Sequence, residues 1–161
     1  MSVAAVVLAA GAATRYGRPK QVELLPAVLE RLARAPVDEV VVVEGAYPLD
    51  AAGVRVVRAD DWARGPGASL RAGLAALDDE VTHAVVVLAD GPTLDPRAVG
   101  RLLAHRDDAP VLAASYDGTR DHPVLLAREV WDAVPDEGGR VLDAQLVDCS
   151  DLESPGDVDY P

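Results

Sequence analysis

Phenylalanine, isoleucine and asparagine are absent from these 161 residues, and lysine and cysteine each occur once. A single cysteine, Cys149, allows no internal disulfide. It reads as a small buried hydrophobe rather than a nucleophile. No stretch approaches the ~20 apolar residues needed to span a bilayer. The start, Met1-Ser2-Val3-Ala4, lacks the charged opening of a signal peptide and runs into a strand pattern. The expected compartment is therefore the cytoplasm, with no membrane partner. Positive charge is also scarce: the formal net charge is −12. Such a surface repels nucleic-acid phosphates and anionic membranes, so no nucleic-acid partner is expected. Any anionic ligand must then be held by a local cluster of cations, dipoles or metal. What is abundant is Ala, Val and Leu; half the residues are hydrophobic, which excludes a disordered chain.

Apolar runs of strand length alternate with helical patterns. Strands are predicted at Val3–Leu8, Glu39–Glu44, Val54–Val57, Ala84–Leu88, Val111–Ser115, Pro123–Leu126 and Leu146–Asp148. Helices are predicted at Pro26–Ala35, at Ala68–Leu77 behind the turn Gly65-Pro66-Gly67, and at Asp95–His105, where Asp95 caps and Pro96 fits the first turn. Arg128–Val134 and Gly139–Ala144 read as short helices, and the acidic tail Ser150–Pro161 as a loosely packed terminus. Apolar strands alternating with helices imply an α/β sheet covered on both faces. No linker divides the chain, so one domain over residues 1–161 is expected.

Ligands of open α/β sheets bind outside the carboxyl ends of the strands. The loop after the first strand runs from Leu8 through Ala9, Ala10, Gly11, Ala12, Ala13, Thr14 and Arg15 to Lys20 and Gln21. Its small residues let backbone N–H groups approach phosphate oxygens. Arg15 offers a planar fork and Lys20, the sole lysine, a compact point charge. The spacing matches neither a Walker A loop nor the dinucleotide glycine fingerprint.

This loop resembles the signature of the MobA-like nucleotidyltransferase family. Five further segments are similar to that family in the same order: Gly65–Leu74, Val87–Pro92, Asp121–Leu125, Asp136–Arg140 and Asp157–Pro161. The resemblance implies a single-domain, Rossmann-like three-layer αβα fold with a mostly parallel mixed sheet, of the nucleotide-diphospho-sugar transferase type. It implies transfer of an NMP unit from a nucleoside triphosphate to a phosphorylated small-molecule acceptor, with Mg²⁺ as cofactor.

The same resemblance implies roles for named residues. Leu8, Ala9, Ala10, Gly11 and Ala12, with Gly67, Ser69, Leu70 and Gly73, would contact the nucleotide. Arg15 would grip the β- and γ-phosphates and Lys20 the α-phosphate. Asp90, at the end of an apolar strand, would hold the metal with Asp157 or Asp159. Arg120 and His122 would face the acceptor. Each has a structural alternative: Ser69 can simply cap the helix that follows, Asp90 can cap a turn, and Arg120 can be a solvated loop residue. Ala-Ala-Gly in the first loop is similar to the cytidylyl-transferring branch, which implies CTP and the acceptor molybdopterin, with a molybdoenzyme maturation partner as a possible contact. The chain departs from the pattern in three places. Gln21–Pro26 lacks the usual glycine-bearing turn, Gly91 replaces a larger residue, and the last motif stops at Pro161. GTP, a different phosphate acceptor, or a nucleotide-binding protein without turnover are the alternatives.

Overall fold

The computed structural model describes residues 2–10, 20–49, 51 and 53–156, with Lys20 and Gln21 described by their backbone alone. Within them the order is β1 (Ser2–Ala9), α1 (Lys20–Leu32), β2 (Glu39–Glu44), β3 (Arg55–Arg58), α2 (Pro66–Ala75), β4 (Val81–Leu88), α3 (Pro96–Ala104), β5 (Val111–Tyr116), β6 (Thr119–Ala127) and β7 (Gln145–Asp148). Three 3₁₀ turns, Trp62–Arg64, Arg128–Ala133 and Gly139–Val141, complete the described elements.

The strands form one seven-stranded sheet in the order β3-β2-β1-β4-β6-β5-β7. Only β6 runs against its neighbours, pairing antiparallel with both β4 and β5. Alternation along β1 divides the core. Ala5 and Val7 join Leu25, Val28 and Leu32 of α1 and Val99 and Leu102 of α3 on one face. Ala4 and Val6 join Leu70 and Leu74 of α2 and Trp131 on the other. Both faces of the central strands are thus covered, which is why they read as unbroken apolar runs. This is the αβα arrangement expected of the nucleotide-diphospho-sugar transferase type.

The chain leaves β1 toward β2 on one side and reaches β4 on the other. The carboxyl ends of β1 and β4 therefore flank the point where the strand order reverses, the place where such sheets bind ligands. Leu8 pairs with Leu88 across this seam, and Ala89 N–H donates to the Leu8 carbonyl at 3.0 Å.

Several expectations need correction. The first helix begins at Lys20, not Pro26, and carries Pro26 in its interior on an exposed side. Leu25, Val28 and Leu32 form its buried stripe, and that tertiary packing outweighs the one backbone bond a proline removes. No loop therefore separates Lys20 from the helix, which accounts for the missing glycine turn. The second helix starts at Pro66 with Gly65 as its N-cap, so Ser69 lies inside the helix and does not cap it. The tail is not loose as far as Gly156. Leu152 is buried, Arg101 donates to the Asp151 carboxylate at 2.6 and 3.0 Å, and Thr93 binds the carbonyls of Pro155 and Ser154 at 3.1 and 2.6 Å. The predicted helix Gly139–Ala144 shrinks to the 3₁₀ turn Gly139–Val141.

Gly73 shows how tightly α2 meets the sheet. A Cβ there would lie 2.7 Å from both Val6 Cγ1 and Val43 Cγ2. Gly73→Val should therefore destabilise the fold by about 1–3 kcal/mol through overpacking, despite better helix propensity. Urea unfolding should show a lower midpoint with an unchanged slope; a raised midpoint would contradict this packing.

Candidate active site

A cavity of about 340 Å³ opens at the carboxyl ends of β1 and β4, on the α2 face of the sheet. Leu8, Leu70, Leu88 and Val124 contribute to an apolar floor. Arg120, Asp121 and His122 of β6 line one side, and Glu137, Gly138, Gly139 and Arg140 form the outer wall.

β6 can present polar groups here because its pairing is interrupted. Val124 pairs with Ala113, but Asp121 pairs with Ala114, so His122 and Pro123 are extra residues on β6. Pro123 has no N–H to donate to a ladder, and such bulges re-aim side chains at the rims of sheets. The His122–Pro123 peptide is cis. Asp121 accepts the His122 backbone N–H at 2.7 Å and lies 3.5 Å from His122 Nδ1, while Tyr116 Oη donates to the His122 carbonyl at 3.0 Å. Hydrogen bonding from His122 holds the Asp121 carboxyl below the usual carboxylate range, against the opposing effect of burial. Burial pushes the Tyr116 phenol up, so it stays protonated and able to donate at neutral pH.

The outer wall is clamped from two sides. Gly67 N–H donates to the Asp136 carbonyl at 2.9 Å, and a Cβ on Gly67 would sit 1.5 Å from the Pro135 carbonyl oxygen. Gly65, at φ 136, likewise leaves no room: its Cβ would lie 2.3 Å from the Asp136 oxygen. Arg71 of α2 donates to the Val134 carbonyl at 2.8 Å and to the Asp136 carboxylate, which Arg64 also meets at 3.2 Å. These arginines, Arg71 first, keep Asp136 ionised below its ordinary range. From the other side, Arg120 donates to the carbonyls of Leu142 and Gly139 at 2.8 and 3.1 Å.

The sequence-predicted residues divide accordingly. Leu8 and Leu70 line the cavity, as do Arg120 and His122. Ala9 and Ala10 are buried but do not line it; Ala9 packs in the core on the α1 and α3 face, and the Ala10 carbonyl accepts from Ala46 N–H at 3.1 Å. Gly67 and Gly73 serve close packing against the 135–136 backbone and the sheet. Ser69 is buried within α2. Asp90 follows Ala89 at the carboxyl end of β4, beyond Leu88 and outside the cavity lining. Lys20 opens α1, but its side chain lies outside the described residues, as do Gly11, Ala12, Arg15, Asp157 and Asp159. Sequence reasoning did not single out Asp121, Glu137 or Arg140 as site residues; the Asp136–Arg140 motif marked the segment without saying which side chain faces the cavity.

Among the described residues no group of three His, Cys, Asp or Glu side chains forms a metal set. One carboxylate of the kind a hard divalent ion takes does stand at this edge. It is Asp90, and the described chain ends close by: a Cβ on Gly91 would lie 2.9 Å from Pro155 Cβ and 3.4 Å from the Gly156 oxygen. Glycine at 91 thus lets the acidic tail pass beside Asp90.

Compared with known families, the chain matches the MobA-like NTP transferase domain over residues 5–147. No curated protein matches it. The crystal structure of an Rv0371c homologue from Mycobacterium sp. strain JC1 is similar with a TM-score of 0.82 at 25% identity, covering 98% of this chain and 90% of that one. Rv0371c of Mycobacterium tuberculosis H37Rv, solved in complex with manganese, gives 0.75 at 24% identity over 92% and 88%. A CMP:2-keto-3-deoxy-manno-octonic acid synthetase complexed with CTP gives 0.76 at 14% identity over 100% and 94%. The last two likenesses are of fold.

Two outcomes test this geometry. Gly67→Ala should loosen the wall, seen as faster hydrogen exchange at the amides of Gly138 and Leu142 while β1 and β4 stay protected; unchanged exchange would contradict the clamp. The depressed Asp121 value means the unfolded chain binds more protons, so this contribution to stability is present above about pH 4 and lost as pH falls through the folded value. Asp121→Asn should flatten the acid limb of a stability–pH profile below about pH 4; parallel limbs would refute the assignment.

Proposed function

Because the chain belongs to the MobA-like NTP transferase family, we propose that it transfers an NMP unit, CMP from CTP, to a phosphorylated small-molecule acceptor. The observation that carries this reading is the crevice beside the β1–β4 seam. The helix after β1 opens at the sole lysine, Lys20, and Asp90 lies two residues beyond the end of β4. Both partners in the reaction are anions, so a protein of net charge −12 must gather its cations at one place.

In this reading an acceptor phosphate oxygen attacks the α-phosphorus. The new P–O bond forms as the bond to the β-phosphate bridge breaks, and pyrophosphate leaves. Ala9, Ala10, Gly11 and Ala12 offer backbone N–H groups to the phosphates. Arg15 holds the β- and γ-phosphates, and Lys20 meets the charge that develops at the α-phosphate. Asp90, with Asp157 or Asp159 beyond Gly156, would hold Mg²⁺ or Mn²⁺, which neutralises phosphate charge when bound. Leu70 and Ser69 of α2 stand on the nucleotide side. His122, oriented by Asp121 and Tyr116, faces the acceptor. Positioning and electrostatics carry most of the catalysis in such a transfer.

CTP is favoured by the Ala-Ala-Gly loop, and molybdopterin is the acceptor that this branch suggests. A second reading keeps the reaction with GTP or another phosphate acceptor; it draws on α1 starting at Lys20 itself, with no loop between that lysine and the helix.

Pyrophosphate release should require CTP, a divalent ion and an acceptor. Asp90→Ala and Lys20→Ala should each lower kcat by about 10²–10³-fold or more with folding intact by circular dichroism. Full turnover in Lys20→Ala would end this mechanism. A preference for GTP in a calorimetric panel of four nucleotides would remove the cytidylyl assignment. Nucleotide binding with no pyrophosphate release across a broad acceptor screen would leave a binding protein.

A further inference from the structure

We infer that Thr93 is a positioning residue for the divalent ion at Asp90. Its hydroxyl and backbone N–H hold residues 154–156 of the tail against the loop that carries Asp90, and the ion binds more weakly without the hydroxyl. The inference rests on the nucleotidyl-transfer reading only in taking Asp90 as an ion ligand.

The loop between β4 and α3 is short and folded on itself. Gly91 N–H donates to the Leu88 carbonyl at 3.2 Å, and Leu94 N–H to the Gly91 carbonyl at 3.3 Å. Leu94 is buried in the core shared with α1 and α3, and Arg31 of α1 donates to its carbonyl at 3.1 Å. The loop is thus fixed from the α1 side. Thr93, three residues beyond Asp90, is half-buried and turns its donors to the tail instead.

The tail reaches this loop in two stages. Arg101 and the buried Leu152 fasten it as far as residue 152. Residues 153–156 belong to no strand or helix, so no ladder holds their backbone. Thr93 holds it: its N–H donates to the Pro155 carbonyl at 3.1 Å, and its Oγ1 donates to the Ser154 carbonyl at 2.6 Å. Gly156, at φ +77, turns beside that hydroxyl; a Cβ there would lie 3.3 Å from Thr93 Oγ1. Gly91, next to Asp90, gives Pro155 its seat on the other side, since a Cβ on Gly91 would lie 2.9 Å from Pro155 Cβ. Asp157 follows in sequence. Two donors of one threonine therefore set how the acidic end of the chain meets the Asp90 loop. A hard ion gathers several oxygen ligands, and a segment already held in place costs less entropy to order around it.

The test uses Mn²⁺ alone as the probe, with the free ion read by electron paramagnetic resonance. Thr93→Val should weaken Mn²⁺ binding about three- to tenfold, the worth of one hydroxyl-to-carbonyl bond, and Thr93→Ser should restore it. Thr82→Val, which removes a hydroxyl at the opposite end of β4, should leave binding unchanged. Because coupling is reciprocal, Mn²⁺ should slow hydrogen exchange at the Thr93 amide of the native chain. Equal affinity in the native chain and Thr93→Val, a loss in Thr93→Ser as large as in Thr93→Val, or Thr93 exchange indifferent to Mn²⁺ would each overturn the inference. The exchange measurement needs no variant, so it decides the matter even where Thr93→Val fails to fold. Mn²⁺ binding that is absent, or insensitive to Asp90→Asn, would remove Asp90 as an ion ligand and overturn both readings. Binding that depends on Asp90 but not on Thr93 would overturn this inference alone.

Discussion

The parallel pairing of β1 with β4 is the constraint from which the rest of the structure follows. Val3 to Leu8 pair with His83 to Leu88, and helices cover both faces of the pair. Small and β-branched side chains let the helices approach closely, and burial on two faces removes water from the strand interiors. The strand after β1 lies on one side and the strands after β4 on the other, so the strand order reverses between them, and the crevice opens at their paired carboxyl ends. Ala10 at the end of β1, Asp90 beyond β4 and the cavity floor all stand at that one edge.

Around this edge the fold uses glycine and arginine for opposite purposes. Gly67, Gly73 and Gly91 let chain segments touch where any Cβ would collide with backbone or packed side chains. Arginines then hold those segments in place. Arg71 and Arg120 reach carbonyls of the wall between Val134 and Leu142, and Arg101 fastens the tail through Asp148 and Asp151. In a chain of one lysine and fourteen arginines, guanidinium thus serves both as a fastener and as a candidate ligand group. Whether a given arginine can bind an anion depends on how many of its donors the fold already uses.

Much of the architecture was legible because its signals are local. The strand Glu39–Glu44 has the bounds read from its apolar run, and Asp95 caps α3 through Arg97 N–H at 2.9 Å, as its position before a proline implied. Where the reading erred, a distant contact outweighed a local rule. Pro26 marked a helix start, yet packing against the sheet carries α1 six residues further back. The acidic composition of the tail suggested a loose end, yet Arg101 and Thr93, far away in sequence, anchor it. The motif order located the segments around the site, while the side chains that line its outer wall were not separable from their neighbours.

By itself the sequence determined the α/β class and the family, and it marked the loop after the first strand as the candidate nucleotide loop. These depend on residue type, periodicity and order along the chain. Only the tertiary structure decided that Gly67 serves a backbone contact, that Gly91 makes room for the tail, and that Arg120 holds a wall while Arg140 faces the cavity. The physical reason is that a donor's partner is set by contacts such as Arg71 with Val134, 63 residues apart. No short-range pattern records which of two similar arginines the fold will use to hold itself together.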